Sequence, residues 1–218
     1  MTFINRTVLR GYELGVLLVS VAVPFANTCI GAVLVHGASA SSNSMHTLAQ
    51  AFAAAGLGVY ALDIRGHGES GAKGHIAYVR QLECDLEDFA TAALPQLPVT
   101  LVGFSSGGGF VLRIASSKQR AMFANCLLMA PFLGQHAPTS RPNSGGRVRV
   151  GVPRLVGVMM FKAVGIRLFD RLPFTRFALS DEAKDVPVTM VPGVGHIPLT
   201  LTPAGTRAAV AAVLATNA

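Results

Sequence analysis

The stretch Gly103-Phe104-Ser105-Ser106-Gly107 constrains this chain more than any other. It follows the apolar run Val99-Thr100-Leu101-Val102 and opens the small-residue, helix-compatible segment Gly107–Ala115, so it reads as strand, tight turn, helix. A serine at the apex of such a turn is held on a strained bend with its hydroxyl exposed above the sheet edge. The flanking glycines let the backbone make that bend without a side-chain clash. The geometry suits a nucleophile, which makes Ser105 the first candidate for chemistry.

Context on either side strengthens the reading. Upstream, Ala32-Val33-Leu34-Val35-His36-Gly37 is a buried-strand pattern ending in a glycine turn; downstream, Val188-Thr189-Met190-Val191 runs as a second strand through Pro192-Gly193-Val194-Gly195 to a loop histidine, His196. The first half of the chain alternates strands and helices. The pattern predicts strands Val16–Val23 and Ile30–Val35, helix Met45–Ala55, strand Gly58–Leu62, helix Val79–Ala93, strand Val99–Val102, helix Gly107–Ser116 and strand Cys126–Met129. Such alternation predicts a mostly parallel sheet, and short continuous Val/Leu runs predict helices on both of its faces. Right-handed crossovers would gather the strand ends, and the candidate site with them, along one edge.

With 218 residues, 51% of them hydrophobic, one α/β domain over 1–218 can bury its core without disulfides or metals. Cys29, Cys84 and Cys126 are odd in number, far apart and without a Cys-x-x-Cys pair, so they read as small buried hydrophobes of a reducing, cytoplasmic protein. The uncharged window Gly15–Val35 follows Arg6 and Arg10 and is the one stretch that resembles a membrane span or signal peptide. Pro24, Asn27 and Thr28 interrupt it, and a helix there would consume the strand that delivers His36-Gly37; two strands joined by a turn over Pro24–Cys29 explain it better.

Three motifs then carry a family resemblance: Val35-His36-Gly37-Ala38-Ser39, Asp63-Ile64-Arg65-Gly66-His67-Gly68-Glu69-Ser70-Gly71, and Gly103-Phe104-Ser105-Ser106-Gly107. In order and spacing, and with the Gly195-His196 ending, they resemble the α/β-hydrolase superfamily, in its branch of monoacylglycerol lipases, lysophospholipases and S33 serine aminopeptidases. The likeness covers residues 30–135 and 186–215. It implies an α/β-hydrolase fold in which Ser105 attacks an acyl carbonyl and His196 takes its proton. It also implies an oxyanion hole made by the backbone N–H groups of Ala38 and Ser106, with no metal or organic cofactor. The glycine turns that carry His36 and His67 would be structural or line the acyl pocket, and Asp63 and Arg65 would brace the turn Arg65-Gly66-His67-Gly68.

One part of the family pattern is missing. A carboxylate should end a Val/Ile-rich strand some 25–30 residues before the histidine and orient its second ring nitrogen, and no such segment is evident. Asp181, beside Glu182, follows only Phe177-Ala178-Leu179, a run that leaves about six residues before Val186, too few for a parallel crossover, which needs about a dozen. Asp170 leaves room for a crossover helix, although by resemblance it belongs to a cap. The third reading has no acid at all: one strand is missing near the C-terminus, and the chain is a slow esterase or a hydrolase-like scaffold.

Residues 134–180 would form a reduced, cap-like insertion. Within it Arg141, Arg147, Arg149, Arg154, Lys162, Arg167, Arg171 and Arg176 face only Asp170, which concentrates much of the net charge of +7. Basic and apolar residues interleaved in this way fit either a solvated face or an interfacial helix resting on anionic lipid, that is, peripheral membrane contact. No nucleic-acid-binding motif accompanies the charge. The expected activity is hydrolysis of small or lipid-like carboxylic esters through an acyl-serine intermediate, with aminopeptidase or amidase activity as the alternative.

Overall fold

The apolar runs at 31–35, 58–62 and 99–104 become neighbouring strands because each is too apolar to tolerate solvent on either face. A computed structural model of the chain describes residues 5–9, 17–23, 29–74, 76–133, 189, 191–192, 194 and 196–217, with the backbone alone for 5–9 and 17–23. The chain divides into two units, Met1–Phe132 with Leu179–Ala218 and Leu133–Ala178. The architecture below is that of the first; the second lies, but for Leu133, outside the described residues.

In chain order the elements are β1 (Asn5–Leu9), β2 (Leu17–Val23), β3 (Gly31–Val35), α1 (His46–Ala54), β4 (Gly58–Leu62), α2 (Gln81–Ala93), β5 (Val99–Phe104), α3 (Ser106–Ala115), β6 (Asn125–Met129), α4 (Pro198–Leu201) and α5 (Pro203–Thr216). Among the described residues the strands form one sheet in the order β1-β2-β4-β3-β5-β6. The pairs β4–β3, β3–β5 and β5–β6 are parallel, while β1 and β2 add an antiparallel edge. The strand at 17–23 agrees with the strand reading of the uncharged window. β1, with Arg6 and Thr7 in a five-residue segment, has no strand signature and is not foreseen.

Side-chain alternation splits the core into two layers. Val33, Val35, Leu62, Val99 and Leu101 pack with Leu86 and Phe89 of α2 and Phe110, Val111 and Ile114 of α3. Ala32, Leu34, Val59, Ala61 and Val102 point the other way, onto Leu48 and Phe52 of α1 and Ala209 and Val213 of α5. The connection β3–α1–β4 steps one way across the sheet and β4–α2–β5 steps back past β3, and their helices lie on opposite faces. Two crossovers of the same hand require that. The strand order therefore reverses between β3 and β5, and a crevice opens outside their carboxyl ends.

Two local expectations are corrected. Helix α2 begins at Gln81 rather than Val79, because Arg80 takes a left-handed φ of 72° and breaks the helical path. Cys29 and Cys84 are exposed thiols and Cys126 is only partly covered, so the buried-hydrophobe reading fails for the first two. Cys84 occupies the solvent side of α2, whose buried positions are Gln81, Glu83, Asp85, Leu86, Phe89 and Ala90. No helix among the described residues is long and apolar enough to cross a membrane.

Candidate active site

Ser105 stands between β5 and α3 with φ 55° and ψ −117°, a conformation that an L-residue adopts only under constraint. The constraint is visible on both sides. A Cβ on Gly103 would lie 2.3 Å from the Gly107 carbonyl oxygen, and one on Gly107 would lie 2.5 Å from the carbonyl oxygens of both Val35 and His36. Only glycine at both positions lets α3 start this close to β3 and β5. Backbone bonds then lock the bend: Ser105 N donates to the Met129 carbonyl at 3.0 Å, and the Ser105 carbonyl accepts from Phe132 N at 2.8 Å and Gly109 N at 3.2 Å.

The turn after β3 closes on the same serine. A Cβ on Gly37 would sit 3.3 Å from the Ser105 Cβ, so Gly37 and Ala38 border the elbow, and Ser39 completes the turn with φ 56°. Ser106 is the first residue of α3, where an amide has no intrahelical acceptor and the helix dipole favours negative charge. The turn after β3 and the first residue of α3 thus border Ser105, one from each side of the reversal in strand order.

His196 stands in the turn before α4, with Ile197 between it and the helix. Its ring lies 4.9 Å from that of Phe104, tilted by 37°, which rests the imidazole on the residue just before Ser105. The ring is exposed, and among the described residues none hydrogen-bonds to it. Asp170, Asp181 and Glu182, the strand foreseen at 188–191 and the basic stretch 141–176 lie outside the described residues.

The remaining motif residues brace the site. Asp63, buried at the end of β4, accepts from Ser42 N at 2.6 Å and Glu69 N at 2.9 Å, while Gly68, at φ 51°, leaves room for its carboxylate. It braces the turn after β4, as the resemblance implies, and also ties it to the loop after β3, which was not foreseen. Arg65 does not stay within that turn. Its Nε and Nη2 grip both oxygens of Asp85 on α2 at 2.6 Å, a bidentate pair.

His36 is fully buried, with Nδ1 2.7 Å from the Gly37 carbonyl, and its ring meets that of His67 at 5.1 Å. Burial is the main cause that holds the His36 pKa below its ordinary value. The Gly37 carbonyl and Asp63 oppose the shift, and His67 adds to it. Sequence reasoning missed Phe104 as the seat for His196 and Asp85 as the anchor for Arg65. An aromatic beside the serine and acids at alternate positions on the buried face of α2 were the available signals.

A family model described as serine aminopeptidase, S33, matches residues 30–161, which take in the His36-Gly37, Asp63–Gly71 and Ser105 motifs but stop short of His196. The chain belongs to that family. A monoacylglycerol lipase of Mycolicibacterium smegmatis is 38% identical over 110 residues, which is 48% of this chain and 38% of the lipase. Among solved structures, a soluble variant of monoglyceride lipase from Saccharomyces cerevisiae superposes with a TM-score of 0.57 at 18% identity, over 75% of this chain and 52% of that one. The thioesterase domain from the curacin biosynthetic pathway gives 0.53 at 20%, over 73% and 52%. These likenesses establish the α/β-hydrolase fold. The chain spans well under half the length of the lipase and about half of each solved structure.

Proposed function

We propose that this chain is a serine hydrolase of carboxylic esters, small or lipid-like, that works through an acyl-serine intermediate. The observation that carries it is Ser105 at a positive φ on the strand-to-helix bend, bordered by Gly37 and with the His196 ring on the adjacent Phe104. His196 takes the Ser105 Oγ proton as Oγ bonds to the ester carbonyl carbon, and the amides of Ala38 and Ser106 hold the resulting oxyanion. The C–O bond to the alcohol breaks as His196 returns the proton to the leaving oxygen; water, activated in the same way, then frees the acid. The 38% identity to a monoacylglycerol lipase favours a lipid-like ester.

A second reading rests on the sequence: the Val/Ile-rich strand ending in a carboxylate that should precede His196 is not evident, and a catalytic base ordinarily requires that acid. An enzyme without that acid turns over slowly, about 10⁴-fold down where the aspartate of a serine protease is neutralised. Labelling with a fluorophosphonate, read by intact mass on wild type, Ser105→Ala and His196→Ala, separates the possibilities. Addition to wild type but not to Ser105→Ala supports the serine hydrolase. A folded wild type that stays unlabelled is a hydrolase-like scaffold.

A further inference from the structure

The interior is a costly place for a polar ring, yet the His36 imidazole is wholly buried at the carboxyl end of β3. Among the described residues its one hydrogen bond joins Nδ1 to the Gly37 carbonyl at 2.7 Å, and its Nε2 has no partner. A carbonyl oxygen only accepts, so the bond puts the proton on Nδ1. Nε2 of the neutral ring is then a bare, buried acceptor. Packing alone would favour an apolar side chain of the same size, which leaves nothing unsatisfied. What the imidazole adds is the Nδ1 donor.

That donor acts on the peptide next to Ser105. The Gly37 carbonyl also accepts from Ala40 N at 3.4 Å, so two donors fix its direction. In a planar trans peptide the C=O of one residue and the N–H of the next point opposite ways, and a fixed Gly37 carbonyl therefore fixes the Ala38 amide. The Ala38 N–H finds no acceptor among the described residues, and Gly37 lies against Ser105. We propose that His36 is a positioning residue whose Nδ1–H holds the Gly37–Ala38 peptide with its amide turned to the oxyanion that forms at Ser105. The role rests on the hydrolase reading above. His36 donates nothing to the substrate; the peptide carries its effect.

Two substitutions separate this role from packing. Asn at position 36 places an amide donor where Nδ1 stands, whereas Leu fills the volume without one. In hydrolysis of p-nitrophenyl butyrate, His36→Leu lowers kcat on the order of 100-fold at nearly constant KM, the signature of a lost transition-state donor, while His36→Asn recovers to within about tenfold of wild type. Thermal unfolding checks that each variant is folded, and long-range ¹H–¹⁵N correlation of the wild-type rings at neutral pH reads the tautomer, expected as Nδ1–H. A folded His36→Leu with wild-type kcat, a His36→Asn no better than Leu, or an Nε2–H tautomer overturns the proposal. If His36→Leu does not fold, the tautomer and the kcat of His36→Asn decide. A wild type that neither turns over nor labels overturns the hydrolase reading and this one with it, whereas an active wild type beside an active, folded His36→Leu overturns this one alone.

Discussion

Gly107 shows how one missing methyl group sets the site. As the second residue of α3 it stands where alanine would ordinarily gain about 1 kcal/mol of helix propensity. Against that stands a Cβ only 2.5 Å from two backbone carbonyl oxygens, that of Val35 at the end of β3 and that of His36 just after it. Overpacking costs about 1–3 kcal/mol and occasionally more, and a 2.5 Å approach to fixed backbone oxygens belongs at the upper end, so sterics win. Gly56 is the control: it has φ 87°, but nothing lies within 4 Å of its would-be Cβ. Only the left-handed conformation penalises alanine there, by about 1–2 kcal/mol. Urea unfolding should find Gly107→Ala clearly less stable than Gly56→Ala; equal losses would mean that the elbow accommodates a side chain.

At the scale of elements, α2 is held at its amino-terminal half by charge as well as by its apolar stripe. Arg65 from the turn after β4 and Asp85 on α2 form a bidentate pair that is mostly shielded, with 15% and 11% of the side chains exposed. Glu83, two residues earlier, pairs with Arg113 of α3 at 2.9 Å. Removing one partner of a shielded, charged pair strands the other, so Arg65→Ala or Asp85→Ala alone should each cost about 2–3 kcal/mol. The double variant should cost less than the two losses added, and simple additivity in a double-mutant cycle would show that the pair contributes no coupling.

Helices α1, α2 and α3 and the central strands were legible in the sequence, α4 and α5 were not foreseen, and the strands were legible for the reason that makes them stable: β3, β4 and β5 are covered on both faces and must be continuously apolar. β1 was illegible because a short edge strand pairs on one side and carries polar residues. The acids on α2 were illegible as anchors, since their partners arrive from Arg65 and Arg113, 20 and 30 positions away in sequence. Likewise Ser105 and the Gly37 turn were readable from local turn chemistry, but the seat of His196 on Phe104 depends on a contact between residues 92 positions apart.

For the whole molecule, acid should act at the junction of β3 and β5, where the strand order reverses and the site is built. Burial is the largest cause that lowers the pKa of the folded His36, and of the groups that face it His67 acts with burial while the Gly37 carbonyl and Asp63 oppose it. An unfolded histidine titrates near 6.5, so below about that pH the unfolded chain binds a proton that the folded chain resists. Stability is then complete above about 6.5 and falls as pH drops toward the folded-state pKa. A second cause runs in the same direction, because the chain already carries +7 at neutral pH and further protonation adds self-repulsion. Salt distinguishes them: repulsion between exposed charges is screened at about 0.5 M, whereas a proton forced onto a ring with no exposed surface is not. Thermal unfolding from pH 7.5 to 5 at high salt should therefore keep a falling Tm in wild type and flatten in His36→Asn, which has no group to titrate. Parallel curves for the two proteins would place the acid sensitivity elsewhere than His36.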